Sequence, residues 1–397
     1  MAKKEKLILI TNPGSSSRKY ALYCGYSLLC SLHFEYEGEK VICTLTDEEG
    51  KKHRVKREFT GLANTTTQLS EILTEEGYLT KVTKLDAILA RIVATGEYFS
   101  HDHIVDEECL EQLEIAKKRT PLHVPVVAAE IKRLRREFPG VVTIAISDSE
   151  FHNSRPDLMK YYAIDTELAD KFEIKKYGAH GLSVGSIVDY MKEAGILADK
   201  TVVCHVGSGS SVTAVFKGMS HDTSMEYTPL AGMMMATRSG SMDPAAATAV
   251  KRALKITEDD ELEEYLNKKC GLLGVSGQTD DMREIIRLRD EGDKRGTLAH
   301  AMFVYRLQAE IAKMVAALGG IDAIVFTATI GERSDEIRRV CMQKFEYLGF
   351  KVDEEKNQQG IDERNRRTNI AAEGSKPIYV IKTDEFKEMI RKAEKLL

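Results

Sequence analysis

The chain begins with two apolar runs that flank a short polar turn. Residues 7–10 read LILI, residues 20–24 read YALYC, and the segment NPGSSSRK lies between them. Two such runs joined by a turn that contains Pro13 and Gly14 predict a β-hairpin at the start of the fold.

Further along, apolar residues recur with the periods of buried strands and of helices. The uninterrupted runs VVTIAIS (residues 141–147) and DAIVFT (322–327) are typical of strands buried on both faces of a sheet. A helix is predicted after Pro125, and a second one over residues 299–318, before the glycine pair at 319 and 320. Together these patterns predict an α/β protein.

Three pieces of the first half recur, in the same order, in the second half. The turn at Gly14 resembles the turn at Gly207, which lies 193 residues later. DAILARIVATGE resembles DAIVFTATIGE at an offset of 236, and ISDSEF resembles IKTDEF at an offset of 235. Similarities in a common order indicate a duplicated domain, with about 40 additional residues in the second copy.

Length and charge narrow the class of protein. The chain has 397 residues, which exceeds the roughly 250–300 residues that one hydrophobic core supports, so we expect two lobes. Its 57 Lys+Arg and 62 Asp+Glu give a net charge of −5, with both signs interspersed along the sequence. Without a basic stripe a nucleic-acid partner is not expected, and a small-molecule ligand fits better.

Targeting signals and cysteine pairs are not evident. The apolar run after MAKKEK is shorter than the ~7–15 residue core of a secretion signal, and no run reaches the ~18 apolar residues of a membrane helix. The seven cysteines form no CxxC pair, which argues against a disulfide framework or a zinc site. We expect a cytoplasmic protein with reduced cysteines and no membrane partner.

The glycine-serine turns suggest phosphate binding. Gly14 lets the backbone approach a ligand closely, and the three serines after it add hydroxyl donors to main-chain N–H groups. The turn is not a Walker A loop, because no GK[ST] follows. Alone, it is better explained as a plain hairpin turn. Two such hairpins, one per lobe, predict a cleft that binds one polyphosphate, as in the actin, sugar-kinase and heat-shock-chaperone ATPase superfamily.

Eleven sequence blocks then resemble the acetate kinase family over nearly the whole chain. They are NPGSSSRKY, RIVATGE, PLHVP, DSEFH, YGAHGLS, HVGSGSSVTAV, DTSMEYTPLAGMMMATRSGSMDP, GLLGVSG, DDMREI, FTATIGE and KTDEF. The resemblance implies two duplicated actin-like (ribonuclease H-like) lobes with the nucleotide cleft between them. We expect an N-terminal lobe of residues 1–148, on which a C-terminal helix 387–397 packs, and a nucleotide-binding C-terminal lobe of residues 149–386.

The resemblance also implies a reaction. The γ-phosphoryl group of ATP passes directly, in line and reversibly, to a short-chain carboxylate, giving an acyl phosphate and ADP. Several anions meet in such a site, and arginine supplies a permanent charge with a planar fork of donors. Arg91 is expected to bind the substrate carboxylate, and His180 and Arg238 to stabilise the phosphoryl group. Asp148 matches the family's essential aspartate; orienting the carboxylate, moving a proton and acting through the metal remain alternatives for it.

Metal and nucleotide positions follow from the same resemblance. Asn12 and Glu385 match the positions around Mg²⁺ (or Mn²⁺), which prefers hard oxygen ligands. The nucleotide positions are Lys19, His205, Val206, Gly207, Ser208, Gly209, Asp281, Met282, Arg283, Ala328, Thr329, Ile330, Gly331 and Glu332. A homodimer is implied by the family alone.

Several residues depart from the family pattern. Ala328 and Thr329 replace two glycines where adenosine is expected, so another nucleotide or pyrophosphate stays open as the donor. Ala179 stands where the family has a phenylalanine that helps to form the acyl pocket. The other positions of that pocket match Val93, Leu122 and Pro229. A lost ring would leave space for propionate or butyrate, since each buried methylene contributes ~0.8 kcal/mol. Three further exchanges are Pro13 for alanine, which suits a turn, and Ala94-Thr95 for His-Gly.

Two other functions use the same two-lobed plan. An assembly- or chaperone-type ATPase would hydrolyse ATP without a carboxylate acceptor, but it would need a partner-binding domain for which the chain has little spare length. A sugar kinase would need a base beside a hydroxyl and polar groups for the ring. Arg91 near an apolar pocket favours a small carboxylate instead.

Overall fold

The computed structural model of the protein describes residues 5–14, 17–80, 84–120, 124–361 and 366–397. Their contacts divide the chain into two compact units. Unit 1 comprises the residues up to Glu150 together with Glu385–Leu397, and unit 2 comprises Phe151–Asp384. Each unit is built on a sheet of its own.

Within the described residues, unit 1 contains eight strands and four α-helices. The strands are β1 (Leu7–Pro13), β2 (Ser17–Cys24), β3 (Ser27–Glu37), β4 (Lys40–Asp47), β5 (Lys52–Arg54), β6 (Ala87–Ile92), β7 (His103–Ile104) and β8 (Val142–Ser147). The helices are α1 (Leu69–Glu75), α2 (Glu107–Arg119), α3 (Val124–Glu137) and, numbered in chain order, the C-terminal α14 (Glu385–Ala393).

The sheet of unit 1 has the order β5-β4-β3-β2-β1-β6-β8-β7. Strands β1 to β5 pair antiparallel, whereas β1, β6 and β8 run parallel. Pro13 lies opposite Arg18 at the closed end of the β1–β2 pair, which confirms the predicted hairpin.

Period-2 alternation gives this sheet two different faces. On one face, Leu9 and Ile88 pack with Leu134 of α3 in an apolar core. The opposite face of β6 and β8 carries Arg91 and its register neighbour Ile146. Helix α14 packs against β6 and β8, and its first residue contacts Arg91, so it covers the second face.

In the part of unit 2 that the structure describes, there are six strands and ten α-helices. The strands are β9 (Lys200–Val206), β10 (Ser210–Phe216), β11 (Met219–Thr223), β12 (Ala323–Thr327), β13 (Arg367–Asn369) and β14 (Ile378–Ile381). The helices are α4 (Thr166–Phe172), α5 (Gly181–Glu193), α6 (Pro244–Ala253), α7 (Asp259–Lys268), α8 (Gly271–Ser276), α9 (Met282–Asp290), α10 (Lys294–Leu318), α11 (Ala328–Arg333), α12 (Asp335–Met342) and α13 (Glu354–Gln359).

The sheet of unit 2 confirms the predicted duplication. Its order is β11-β10-β9-β12-β14-β13, with β9–β11 antiparallel and β9, β12 and β14 parallel. Strands β1, β2, β3, β6 and β8 therefore correspond to β9, β10, β11, β12 and β14. The three sequence similarities fall on the hairpin turns, on β6 with β12, and on β8 with β14.

Helix boundaries differ from the predictions by a few residues. Helix α10 starts at Lys294, five residues before the predicted start, because Asp293 caps it by accepting a hydrogen bond from the Gly296 N–H at 2.6 Å. It ends at Leu318, as predicted, with Gly319 in the left-handed region at φ 61°. The C-terminal helix starts at Glu385 rather than at residue 387. None of the described helices is long and apolar enough to span a bilayer.

Candidate active site

Unit 1 brings three of the predicted site residues into one cluster. Arg91 lies near the end of β6, Asp148 directly follows β8, and Glu385 begins α14. Arg91 Nη2 donates to Asp148 Oδ2 at 3.0 Å, and Nη1 donates to Glu385 Oε2 at 3.3 Å. The parallel register places β6 and β8 side by side, and the Asp148 N–H donates to the Ile92 carbonyl at 3.0 Å. Residues almost 300 positions apart thus share one site.

The Arg91 cluster is a buried ion-pair network. Asp148 is almost fully buried and the Arg91 side chain is 16% exposed. Burial by itself lowers the pKa of Arg91, but the carboxylates of Asp148 and Glu385 raise the pKa well above the ordinary arginine value. The guanidinium stays charged, and it faces two carboxylates.

The predicted phosphate turn of unit 1 is described in part. Asn12 pairs with Lys19 across the β1–β2 hairpin, and the Gly14 N–H donates to the Ser17 carbonyl at 2.9 Å. The Lys19 side chain is exposed. Ser15 and Ser16 lie outside the described residues.

In unit 2, His180 and Arg238 lie beside the bare backbone of Gly209. A Cβ atom added to Gly209 would lie 3.3 Å from both Arg238 Nη1 and His180 Nε2. The His180 and His205 rings stack with their centroids 4.0 Å apart. Gly209 thus leaves room for an anion's oxygen atoms beside a cationic guanidinium and an imidazole.

The segment before α5 fixes the direction of His180. Gly178 has φ +84°, and a Cβ on it would lie 2.8 Å from the His152 ring, so only glycine fits there. His180 itself has φ 62°, which is uncommon for a residue with a side chain. Its Nδ1 hydrogen-bonds Ser211 Oγ at 2.9 Å, which leaves Nε2 on the side of the Gly209 turn.

A cavity of about 550 Å³ lies in unit 2 next to the β9–β10 turn. Six predicted nucleotide residues line it: Ser208, Asp281, Met282, Arg283, Thr329 and Ile330. Sequence reasoning missed six further lining residues, Asp280, Ile286, Arg333, Ser334, Asp335 and Glu336. Asp280 opens the DDMREI block, and the other five follow that block or the FTATIGE block, so extending each block by a helical turn would have found them.

The remaining predicted nucleotide residues do not line this cavity. Val206, Gly207 and Gly331 belong to the strand end, turn and helix around it, and a Cβ on Gly207 would lie 3.6 Å from the Ala328 Cβ. The Glu332 carboxylate points elsewhere, because its Oε1 accepts from the backbone N–H groups of Ala328 at 3.0 Å and Thr383 at 3.3 Å.

The predicted acyl-pocket residues lie in both units. Val93 is half-buried in unit 1 and Leu122 lies outside the described residues. In unit 2, Ala179 is 2% exposed and packs with Met225 and Met235. The Pro229 carbonyl accepts a hydrogen bond from Arg238 Nη1 at 3.4 Å. Thioether side chains therefore pack against the small residue at position 179.

The two residues after Val93 are buried. The Thr95 hydroxyl oxygen lies 2.8 Å from Thr120 Oγ1, and the Thr95 backbone N–H donates to Thr120 Oγ1 at 3.1 Å. The Ala94 side chain has no polar group. The polar contact of this segment is thus made by Thr95.

Known proteins resemble this chain over nearly its whole length. The model of the Acetokinase family matches residues 7–392. The acetate kinase of Thermoanaerobacter pseudethanolicus is 36% identical over 402 residues, 98% of each chain. A propionate kinase structure from Francisella tularensis superimposes with a TM-score of 0.88 at 33% identity over 98% of both chains. The Porphyromonas gingivalis acetate kinase structure gives 0.84 at 29% identity over 98% and 99% of the chains.

The duplicated fold, the cationic sites and these matches define a phosphotransferase that acts on a carboxyl group. The chain belongs to the Acetokinase family.

Proposed function

We propose that the protein transfers the γ-phosphoryl group of ATP to a short-chain carboxylate, reversibly and in line, giving an acyl phosphate and ADP. The observation that supports this most is the Gly209 turn, where His180 and Arg238 flank a strip of bare backbone. Charge spreads over the phosphoryl oxygens in the transition state, so fixed donors at that point lower the barrier. In this proposal Arg238 and His180 stabilise the transferred group.

Arg91 is the proposed site for the acceptor carboxylate. It is held by Asp148 and Glu385 at the end of β6, so its position is set before the substrate arrives. Its guanidinium carries a permanent charge and offers charge-assisted donors to an incoming carboxylate. A carboxylate nucleophile needs no base, so we assign Asp148 to orienting Arg91 and the acceptor.

Two oxygen-bearing side chains of unit 1 also support a divalent cation. Among the described residues, no group of three or more His, Cys, Asp or Glu side chains is arranged to hold a metal ion by itself. Asn12 and Glu385 nevertheless offer the amide and carboxylate oxygens that suit Mg²⁺ or Mn²⁺, and phosphate and water oxygens would complete the ligand set. When bound, such an ion neutralises polyphosphate charge.

The cavity of unit 2 supports a nucleotide as the donor. A volume of about 550 Å³ beside Ser208 is far more than pyrophosphate requires, and Ile286 and Ile330 supply apolar walls of the kind that cover a base. Thr329 lines this space in place of a glycine. We therefore propose ATP as the donor, with pyrophosphate as the alternative to be tested.

The acyl chain length follows from how position 179 is packed. Methionine fills irregular gaps and repacks easily, so Met225 and Met235 make an adaptable wall beside Ala179. We propose that propionate and butyrate are accepted as well as acetate, in line with the propionate kinase among the structural relatives.

A hydroxamate assay for acyl phosphate tests the function. ATP, GTP and pyrophosphate are each combined with acetate, propionate and butyrate, and kcat/KM is compared. We expect ATP-dependent acyl phosphate, with propionate at least equal to acetate. A steep preference for acetate contradicts the adaptable pocket, activity with pyrophosphate alone contradicts the nucleotide donor, and ATP hydrolysis without acyl phosphate points to an actin-like ATPase.

Two substitutions separate the proposed roles of unit 1. Arg91→Ala should raise the KM for the carboxylate by at least about tenfold, because it removes a charge-assisted contact worth roughly 1.5–3 kcal/mol. Asp148→Ala should abolish turnover while circular dichroism shows an intact fold. Full activity in Asp148→Ala would refute its assignment.

We further propose a cytoplasmic homodimer. All seven cysteines are free thiols, which suits a reducing compartment. None of the ten residues of α6 is buried against the described parts of the chain, and Met242 and Leu254 beside it are also exposed. An alanine-rich helix of that length gains its stability from packing, so a second copy is a fitting cover.

Light scattering after size exclusion tests the dimer. The wild type should have twice the mass of the 44.4 kDa chain, and Ala249→Glu on α6 should shift it toward the monomer. A monomeric wild type overturns this assembly.

A further inference from the structure

A buried lysine on α14 lies beside the segment that carries Asp148. The Lys392 side chain is 7% exposed, and its Nζ lies 2.7 Å from Glu150 Oε2 and 3.1 Å from Asp102 Oδ1. Nζ also donates to the Ser147 carbonyl at 3.0 Å. Lysine is rarely buried unless paired, and this one is held by two ion pairs and one backbone carbonyl.

The groups that contact Lys392 also hold the backbone before and after Asp148. Asp102 Oδ1 accepts a hydrogen bond from the Ser147 N–H at 2.7 Å, and Ser147 Oγ donates to the Phe99 carbonyl at 2.6 Å. Ser147 precedes Asp148 and Glu150 follows it by two residues. The backbone that aims the Asp148 carboxylate is thus anchored at both ends by groups that meet at Lys392 Nζ.

Helix α14 connects this anchor to Arg91. Glu385 and Lys392 are seven residues apart, which is about two helical turns, so both side chains point from the same face of the helix. Glu385 contacts Arg91, and Lys392 contacts Ser147 and Glu150. One helix face therefore sets the positions of Arg91 and of the Asp148 segment together.

We infer that Lys392 is a positioning residue for the phosphoryl-transfer site, acting through Ser147, Asp102 and Glu150 to fix Asp148 against Arg91. Lys392 does not touch substrate in this assignment. Its effect is on how often Asp148 and Arg91 occupy the geometry that transfer requires. The inference rests on the proposed function for its kinetic consequence, but the positioning itself is observable without turnover.

The charges explain why a neutral residue would not serve. Burial, together with the neighbouring Glu150 carboxylate, raises the pKa of Asp102 to about 7, while the Lys392 ammonium opposes this shift. Without the ammonium, Asp102 and Glu150 would lose the cation that both contact. Ser147 and Glu150 would then lose their common anchor.

Kinetics of Lys392→Met, Lys392→Arg and Lys118→Met test the inference. Lys392→Met should lower kcat by at least about tenfold while the KM values for carboxylate and nucleotide change less than about threefold. Lys392→Arg keeps the charge and donors and should retain a third or more of the wild-type kcat. Lys118, an exposed lysine on α2, is the matched control and should behave as wild type.

Hydrogen–deuterium exchange gives a readout that does not depend on activity. The peptide covering residues 147–150 should exchange at least about tenfold faster in Lys392→Met and remain protected in Lys118→Met. Adding Asp102→Asn to Lys392→Met removes one of the facing carboxylates and should restore part of both kcat and protection. If Lys392→Met alone is too unstable to purify, that double variant and Lys392→Arg carry the same comparison.

Unchanged kcat with unchanged exchange in Lys392→Met overturns the inference, and so does a loss that appears only in KM. If the wild type forms no acyl phosphate but the exchange of residues 147–150 still depends on Lys392, the proposed function fails while the positioning role stands.

Discussion

At the scale of single residues, the proposed phosphoryl-transfer site depends on the missing side chain of Gly209. Gly209 has ordinary backbone angles, so conformational freedom does not explain it. Its importance lies in space, since a Cβ there would come within 3.3 Å of Arg238 Nη1 and His180 Nε2, closer than most real Cβ contacts. In the proposed reaction, glycine at this position lets phosphate oxygens reach both groups.

Gly209→Ala tests this spatial role. The added methyl group should displace Arg238 and His180 by a few tenths of an ångström and occupy the proposed phosphoryl position. We expect kcat to fall by at least about tenfold, because misplaced charges lose transition-state stabilisation. Thermal unfolding should change little. A kcat within twofold of wild type would contradict the proposed location of the phosphoryl group.

At the scale of elements, the short helix α11 is held in place at both ends. Glu332 Oε1 accepts a hydrogen bond from the Ala328 N–H at 3.0 Å at its start. Fully buried Arg338 donates from Nη1 to the Gly331 carbonyl at 2.8 Å and the Glu332 carbonyl at 3.0 Å at its end. Burial lowers the pKa of Arg338 to about 10, so it remains charged at neutral pH. These contacts fix the wall of the cavity that carries Thr329.

The first residue of α11 is strained. Ala328 has φ 65°, a left-handed conformation that costs a residue with a Cβ about 1–2 kcal/mol. Ala328→Gly should therefore stabilise the protein by about 0.5–1 kcal/mol, after the larger unfolded-state entropy of glycine is subtracted. Urea unfolding measures the change.

Ala323→Gly, in strand β12, is the matched control for this substitution. It makes the same chemical change at a buried strand position and should destabilise the protein by about 1 kcal/mol. Equal losses in Ala328→Gly and Ala323→Gly would show that the backbone at 328 is unstrained.

At the scale of the whole molecule, the two units repeat one topology but cover it differently. In unit 1, α14 packs on the sheet face that carries Arg91, whereas in unit 2 the long α10 packs with β9 and β10 in a large apolar core. His300 of α10 is buried beside Arg289 and Glu336, which connects α10 with α9 and α12. Titration of this histidine therefore bears on global stability.

Stability should fall as the pH drops below about 6.5, in part through His300. Burial, together with the Arg289 cation, lowers the pKa of His300 below its ordinary value, despite the opposing Glu336 carboxylate. The unfolded chain then binds a proton that the folded chain does not, which favours unfolding from about pH 6.5 down to the folded pKa. One such group contributes at most about 1.4 kcal/mol per pH unit.

His300→Gln isolates this contribution. Glutamine keeps an acceptor for Arg289 but does not titrate. Urea unfolding at pH 7.5 and 5.5 should show a smaller loss of stability on acidification in the variant than in the wild type. Identical pH dependence in both proteins would assign the acid sensitivity to other groups.

Local sequence determined much of this protein. Uninterrupted runs of β-branched residues bounded by turns predict the parallel strands, because a buried strand can be recognised from neighbouring residues alone. The pair of glycine turns and the two other recurring segments indicate the duplication from sequence alone. Single residues such as Arg91, Asp148 and His180 were predicted as site residues because whole blocks around them carry the family pattern.

Only the tertiary structure decided which distant side chains meet. Sequence gave no reason to place Lys392 beside Asp102 and Glu150, or Met225 beside Ala179, because those contacts depend on how helices cross a sheet and on long-range register. The direction of Glu332, which caps α11 instead of lining the cavity, likewise depends on two backbone N–H groups 55 residues apart in the chain, at 328 and 383. Periodicity fixes the elements, whereas burial and charge pairing between elements fix the site.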